Sequence, residues 1–157
     1  MKLVELFPKS MMVLDLKARD KKGAIRELLD HLVVEGKLSE DAAKKAEKGV
    51  HKREAQGTTG IGKGLAIPHA KNVAAIGGVL GVFGRSFEGL PFESVDGDQV
   101  NVLFMILSSV DYADAHLQVM KKVARLNRDD KTLRFLATTT NQDSIVGIFE
   151  ELDDGQP

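Results

Sequence analysis

The sequence predicts a single α/β domain in which a mixed β-sheet has helices on both of its sides. Two amphipathic helical patterns precede a glycine-rich region of short strands, and three further helical patterns follow the last strand. Residues 102–107 are apolar at every position, which is typical of a central strand buried on both faces. The chain has 157 residues, no internal repeat and no long linker, so we expect residues 1–157 to form one domain.

A short strand and two helices are predicted in the first third of the chain. Residues 12–17 alternate between apolar and more polar side chains, as a half-buried strand does. Asp20 is placed to cap a helix that Gly36 ends, and Ser39 is placed to cap a second one. The inner stripe of the second helix reaches Arg53, a charge where a hydrophobic residue is expected.

Short strands joined by tight turns are predicted between residues 57 and 87, where glycine and β-branched residues are frequent. Residues 79–83 form one strand and residues 102–107 the central one. The connection at residues 89–99 contains glycine, proline and aspartate and is predicted to be a loop. Three helices are predicted after the central strand: residues 114–127, 130–137 and 141–152.

Composition excludes several classes of function. The formal net charge of −1 gives the chain no overall attraction to nucleic acid or to an acidic membrane. The absence of cysteine removes disulfides, thiolate chemistry and cysteine-based zinc sites. No signal-peptide pattern is visible at the N-terminus, and the longest apolar run is too short to cross a bilayer. We therefore expect a soluble cytoplasmic domain.

The segment that ends at His69 carries the chemistry. His69 follows a short apolar strand at residues 65–67 and stands directly after Pro68. The proline fixes its own φ and favours an extended conformation at Ile67, so His69 is presented on a stiff backbone. Four glycines lie between residues 57 and 64, and they leave backbone N–H groups open to an approaching anion.

Nucleotide binding is not supported by the glycines of residues 60–64. A Walker loop needs a lysine and a serine or threonine after its last glycine, whereas Leu65 follows Gly64. A dinucleotide fingerprint needs a helix after the glycines, and a short strand is predicted here. A nucleotide-dependent enzyme is therefore disfavoured.

The same segment resembles the phosphorylation-site signature of IIA domains of the mannitol/fructose type, which belong to the bacterial phosphoenolpyruvate-dependent sugar phosphotransferase system. Glu54 is followed after six positions by residues 61–62, and then by the run at residues 65–69 with the small residue Ala70 after it. The resemblance extends over nearly the whole chain. Because no IIB or membrane part follows before residue 157, the sequence looks most like the stand-alone, nitrogen-regulatory members.

The resemblance implies roles for three residues. His69 would accept a phosphoryl group from phospho-HPr, and its neutral imidazole suits this task because the unperturbed pKa of histidine is about 6.5. Arg53 would bind phosphoryl oxygens with its permanently charged guanidinium, and His116 would donate an N–H to the phosphoryl group or to His69. Further donors are expected from the hydroxyls of Thr58 and Thr59 and the backbone amide of Gly60.

Each of these residues also has a plain structural interpretation. Arg53 stands where any basic residue would neutralise the C-terminus of a helix. His116 begins an amphipathic helix, where a histidine is often just packed or hydrogen-bonded. Threonine is common in strands, so Thr58 and Thr59 need no role beyond that.

The leading functional hypothesis is a phosphoryl carrier that takes phosphate on His69 and passes it to a IIB domain or uses it as a regulatory signal. The alternative is a regulatory binding module whose affinity for a partner is switched by phosphorylation of His69, with no role in sugar transport. A third possibility is a scaffold of the same fold without phosphorylation.

The expected partners are proteins. An HPr-like phosphocarrier would be the donor, and a IIB domain or a regulatory protein would be the acceptor or target. No cofactor is expected, and no metal either, because no carboxylates cluster near His69 in the sequence as Mg²⁺ ligands would.

Overall fold

The computed structural model describes residues 1–155, which form one mixed sheet with helices around it. Its strands are β1 (Met12–Val13), β2 (Gly60–Gly62), β3 (Leu65–Ala66), β4 (His69–Ala70), β5 (Val79–Leu90) and β6 (Val100–Ser108). Its α-helices are α1 (Leu3–Leu6), α2 (Lys21–Val34), α3 (Glu40–Ala55), α4 (Ala113–Ala124), α5 (Asp130–Thr138) and α6 (Gln142–Asp154). The last two residues of the predicted domain, 156 and 157, lie outside the described residues.

Strand β6 is the centre of the sheet. The strand order is β1-β5-β6-β3-β2, and β4 also pairs with β6. The long strands β5 and β6 are antiparallel, whereas β3 and β4 both run parallel to β6. The pairing places His69 opposite Ile106, at the carboxyl end of β6. The sheet therefore brings the ends of β4 and β6 together at one edge.

Alternate residues of β6 face two separate cores. Three of them pack with α2 and α3 on one side of the sheet: Leu103, Met105 and Leu107. The other three pack with α1, α4, α5 and α6 on the opposite side: Val102, Phe104 and Ile106. All six are at most 1 % exposed. The predicted mixed sheet with helices on both sides is confirmed, and so is the central strand buried on both faces.

The predicted helix boundaries rest on caps that the structure contains. The carboxylate of Asp20 accepts a hydrogen bond from Gly23 N, and the hydroxyl of Ser39 accepts one from Ala42 N. Gly36 has a φ of +74° directly after α2, a conformation that suits glycine and ends the helix. Along residues 1–155, no helix combines the length and the apolar character that crossing a membrane requires.

Two strands differ in length from the prediction. Strand β1 covers two residues and not six, because Met12 packs into one core and Leu16 into the other, which breaks the alternation. Strand β5 extends to Leu90, so Gly89 and Leu90 belong to it and not to the predicted loop. The pairing of β5 with β6 shifts register between Arg85 and Leu90, and this irregularity lets the strand continue past the apolar segment.

Helix α1 was not predicted from the sequence. Its four residues are too few to show a helical period, and Lys2 before it makes no capping bond with its side chain. The carboxylate of Asp153 in α6 accepts hydrogen bonds from Leu3 N and Val4 N instead. The cap comes from the far end of the chain, where local sequence cannot reveal it.

Candidate functional site

His69 lies at the sheet edge with its ring in a fixed orientation. The residue is 9 % exposed, and Nδ1 of its ring is 2.8 Å from the carbonyl oxygen of Ile67. Because a carbonyl oxygen only accepts hydrogen bonds, Nδ1 of His69 carries the proton. The other ring nitrogen, Nε2, then holds the free lone pair of a neutral imidazole.

The surroundings keep the imidazole of His69 neutral. Burial lowers its pKa below the ordinary value, and the positive charges of Arg53 and Lys71 lower it further. The bond to Ile67 and the negative charge of Glu54 act in the opposite direction. Since the net shift is downward, the ring is uncharged at neutral pH.

The structure brings His116, the second predicted site histidine, beside His69. It lies in the first turn of α4, is 1 % exposed, and its ring centroid is 5.4 Å from that of His69 with 62° between the ring planes. Nδ1 of His116 is 2.7 Å from Oγ of Ser108. Burial lowers the pKa of His116 to about 4, with smaller contributions from the His69 ring when that ring is protonated and from the positive charge of Lys71.

One polar atom of His116 has no partner. Within the described residues, Nε2 of His116 is buried and makes no hydrogen bond. Buried polar groups are nearly always hydrogen-bonded, so an unpaired one calls for an explanation. This nitrogen belongs to the ring that packs against His69.

Arg53 occupies the last turn of α3 and is half-buried. Its Nη1 donates a hydrogen bond to the carbonyl oxygen of Gly57 at 2.8 Å. Its charge is near enough to lower the pKa of His69. A guanidinium has five N–H donors, and one bond to a carbonyl oxygen leaves most of them for an anion.

The predicted supporting donors already have partners within the protein. The hydroxyl of Thr58 donates to the carbonyl oxygen of Phe92 at 2.8 Å and accepts from Gly60 N at 3.0 Å. The hydroxyl of Thr59 donates to the carboxylate of Glu54. In this structure both threonines and the amide of Gly60 therefore hold the loop before His69 in shape.

Glu54 and Lys21 support the loop before His69; the sequence analysis named Glu54 only as part of the signature and missed Lys21. The Glu54 carboxylate accepts from Thr59 N at 3.2 Å and from Lys21 Nζ at 3.0 Å, and its side chain is 5 % exposed. Helical spacing carries the buried stripe of α3 from Val50 to Glu54, four residues on, so the inner position expected for Arg53 belongs to Glu54. In residues 1–155 no three His, Asp or Glu side chains are grouped so that they would hold a metal ion.

The model of the family "Phosphoenolpyruvate-dependent sugar phosphotransferase system, EIIA 2" matches residues 5–152. The chain belongs to this family. The match covers the whole sheet, the pair His69 and His116, and every buried residue of both cores except Leu3. The family resemblance of the sequence is thereby confirmed.

Relatives of this IIA chain include both sugar-specific and regulatory proteins. It is 34% identical over 148 residues to the fructose-specific EIIA component of Haloferax volcanii, with 91% of this chain and 94% of that protein covered. It is 30% identical over 134 residues to a nitrogen regulatory protein of Bradyrhizobium diazoefficiens, with 85% of each covered. Its similarity to the fructose-specific EIIABC component of Bacillus subtilis, 33% over 153 residues, spans 98% of this chain but only 24% of that protein.

Solved structures share the fold. The nitrogen regulatory protein IIA-Ntr of Neisseria meningitidis superimposes with a TM-score of 0.82 and 30% identity, over 92% of this chain and 97% of that one. The IIA domain in the complex of IIA-mannitol with phosphorylated IIB-mannitol from Escherichia coli gives a TM-score of 0.76 at 23% identity, over 92% and 99% of the two chains.

Proposed function

We propose that this protein carries a phosphoryl group on Nε2 of His69. The group comes from the phosphohistidine of an HPr-like donor and goes on to a IIB domain or remains as a regulatory mark. One observation carries the proposal: the carbonyl oxygen of Ile67 binds the Nδ1 proton, 2.8 Å away, and leaves the lone pair on Nε2. A ring fixed in this tautomer is ready to accept phosphorus at one defined atom.

The transfer step needs no nucleotide and no water. The Nε2 lone pair of His69 attacks the phosphorus, and the bond between phosphorus and the donor's ring nitrogen breaks with its electron pair returning to that nitrogen. The proton on Nδ1 stays in place because Ile67 holds it. Such a reaction asks for positioning and charge stabilisation more than for covalent work by the protein.

Arg53 and His116 supply that stabilisation in our proposal. The guanidinium of Arg53 turns from the Gly57 carbonyl, or uses its remaining N–H groups, to bind two phosphoryl oxygens. His116 contributes from beside the ring: its centroid is 5.4 Å from that of His69, and it has a buried nitrogen without a partner among the described residues. The phosphoryl group gives both residues the anionic partner that they lack.

The surface beside the site supports a protein partner. Three apolar side chains near His116 in the chain are 40 % or more exposed: Val110, Tyr112 and Leu117. Exposed apolar groups beside a functional site are typical of a docking surface. A donor that covers them would bring its phosphohistidine to the nearly buried ring of His69. Since phosphoenolpyruvate is a cytoplasmic metabolite, the proposal keeps the cytoplasmic location expected from the sequence.

Reconstituted transfer tests the proposal. Incubation with Enzyme I, an HPr-like phosphocarrier and phosphoenolpyruvate should add one phosphoryl group, about 80 Da, that is labile in acid and stable in base. The variant His69→Ala should take up none, whereas His51→Ala, on the surface of α3, should behave as the wild type. NMR should assign the phosphorus to Nε2. Uptake by His69→Ala, or phosphorus on Nδ1, would contradict the proposal.

The regulatory alternative draws on a separate observation. The chain is 30% identical to a nitrogen regulatory protein over 85% of the length of both chains, so regulation fits its relatives as well as sugar transport does. In that case phosphorylation of His69 changes the affinity for a regulatory protein. Adding a purified IIB domain to the phosphorylated chain separates the two: rapid loss of the label supports transport, and retention supports regulation.

A further inference from the structure

Ser108 is the last residue of β6, and its side chain is fixed by the sheet. The residue is 0 % exposed, and its Oγ is 2.7 Å from Nδ1 of His116. Its Cα pairs with that of Val79 in β5, and its carbonyl oxygen accepts a hydrogen bond from Val73 N at 2.9 Å. The backbone of Ser108 is therefore fixed by contacts on two sides, and its hydroxyl lies within hydrogen-bonding distance of the His116 ring.

The direction of this hydrogen bond follows from the groups left without partners. If His116 donated from Nδ1, two buried groups would be unpaired among the described residues: the hydroxyl hydrogen of Ser108, a donor, and the Nε2 lone pair of His116, an acceptor. If Ser108 donates to Nδ1, only the N–H at Nε2 is left unpaired. Because each unpaired buried polar group is costly, the second arrangement is favoured.

We propose that Ser108 is a positioning residue for phosphoryl transfer: its hydroxyl donates to Nδ1 of His116 and so places the proton on Nε2, where it faces a phosphoryl group on His69. The opposite tautomer would turn a lone pair toward the phosphoryl oxygens and repel them. This inference rests on the proposed function of His69. It adds that His116 works only in the tautomer that Ser108 selects.

The tautomer is measured on the unphosphorylated protein, so that the result does not depend on transfer. In ¹⁵N-labelled wild type, Nε2 of His116 should resonate as a protonated nitrogen and Nδ1 as a hydrogen-bonded acceptor. In Ser108→Ala the Nδ1 resonance should move downfield, because the lone pair has lost its donor. A wild-type ring protonated at Nδ1, or an unchanged Nδ1 resonance in Ser108→Ala, overturns the inference.

Rates of phosphoryl uptake test whether the tautomer is used. Ser108→Ala should slow transfer from a phosphorylated HPr-like donor roughly tenfold, the worth of one hydrogen bond in the transition state. It should cause no further loss in a His116→Ala background, since its effect passes through that ring. An unchanged rate for Ser108→Ala, or an equal loss in both backgrounds, overturns the positioning role.

Ser86→Ala is the matched control. Ser86 is also a buried serine of the sheet, 5 % exposed, and its hydroxyl accepts from Gly89 N. It lies seven residues along β5 from Val79, about 23 Å from the site at the usual rise per residue. It should change neither the His116 resonances nor the rate. If the wild type takes up no phosphoryl group, the proposed function fails, while the NMR result still decides the role of Ser108 toward His116.

Discussion

Arg53 donates a hydrogen bond to the carbonyl oxygen of Gly57, 2.8 Å away, at the end of its own helix. The arginine thus binds the backbone of the loop that leaves α3. The same guanidinium lies near enough to lower the pKa of His69. One side chain therefore has a resting partner in the backbone and lies within electrostatic range of the reacting ring.

Replacing Arg53 should slow transfer with little loss of stability. We expect Arg53→Ala to reduce the rate of phosphoryl uptake roughly 100-fold, the usual effect of losing a donor that stabilises transition-state charge. Arg53→Lys should keep part of the rate, because an ammonium supplies the charge without the two parallel donors. Rapid-quench kinetics gives the rates and urea unfolding the stability. Lys52→Ala, an exposed neighbour on α3, is the control, and equal rates in Arg53→Ala and Lys52→Ala would leave Arg53 with a structural role only.

Phosphoryl uptake should persist into mildly acidic solution. An ordinary histidine is largely protonated below pH 6, and a protonated ring has no lone pair for phosphorus. Burial lowers the pKa of His69, so its Nε2 stays competent below the pH at which a free imidazole fails. Initial rates of uptake from a preformed phosphorylated donor should be measured between about pH 5 and 8. As the pH is lowered, the rate for this protein should decline at a lower pH than the rate for a histidine peptide. An NMR titration of His69 with a pKa at or above the peptide's would contradict this expectation.

The free energy of unfolding should fall as the pH is lowered between the two pKa values of His116. In that range the ring is neutral in the folded protein and protonated in the unfolded chain. Its folded pKa is about 4 and its unfolded value about 6.5, so the unfolded state binds more protons between these values. The free energy of unfolding therefore rises with pH across that window and levels off above it. Urea unfolding at several pH values should show a flatter profile for His116→Gln than for the wild type. Parallel profiles would mean that His116 does not titrate on unfolding.

Glu54 should matter for stability as well as for the loop before His69. In Glu54→Gln the ammonium of Lys21 loses its buried partner, and the amide replaces the acceptor of two bonds from Thr59. Breaking a buried ion pair in this way should cost about 3 kcal/mol of unfolding free energy. The exposed pair of Glu88 with Arg19 is the matched control, and Glu88→Gln should cost about 0.5 kcal/mol or less. Similar midpoints for both variants in urea would show that the Glu54 carboxylate is dispensable.

The parts of the fold that local sequence predicted are those with local causes. The predictions of the Asp20 and Ser39 caps and of the apolar central strand β6 are confirmed, because a few neighbouring residues determine each of these features. The presentation of His69 after Pro68 likewise needs only the residues beside it. In contrast, the cap of α1 by Asp153 and the bond from Ser108 to His116 join distant or differently folded segments, and the sequence shows no sign of either.

The buried Arg85 should contribute to the stability of the fold and not to the rate of phosphoryl transfer. It is 1 % exposed, and its Nε donates to the carbonyl oxygen of Leu14 at 2.9 Å while Nη1 donates to those of Leu136 and Thr139. These bonds join the segment after β1 to the end of α5, and a lysine cannot reproduce their fork.

Arg85→Lys should therefore lower the unfolding free energy by about 2 kcal/mol, since buried carbonyl groups lose their donors. Arg85 makes no contact with either site histidine among the hydrogen bonds of the described residues, so phosphoryl uptake well below the unfolding temperature should equal that of the wild type. Thermal unfolding and transfer rates on the same samples measure both quantities. A slower transfer rate in the still-folded Arg85→Lys would contradict this prediction, because it would show that Arg85 affects transfer as well as stability.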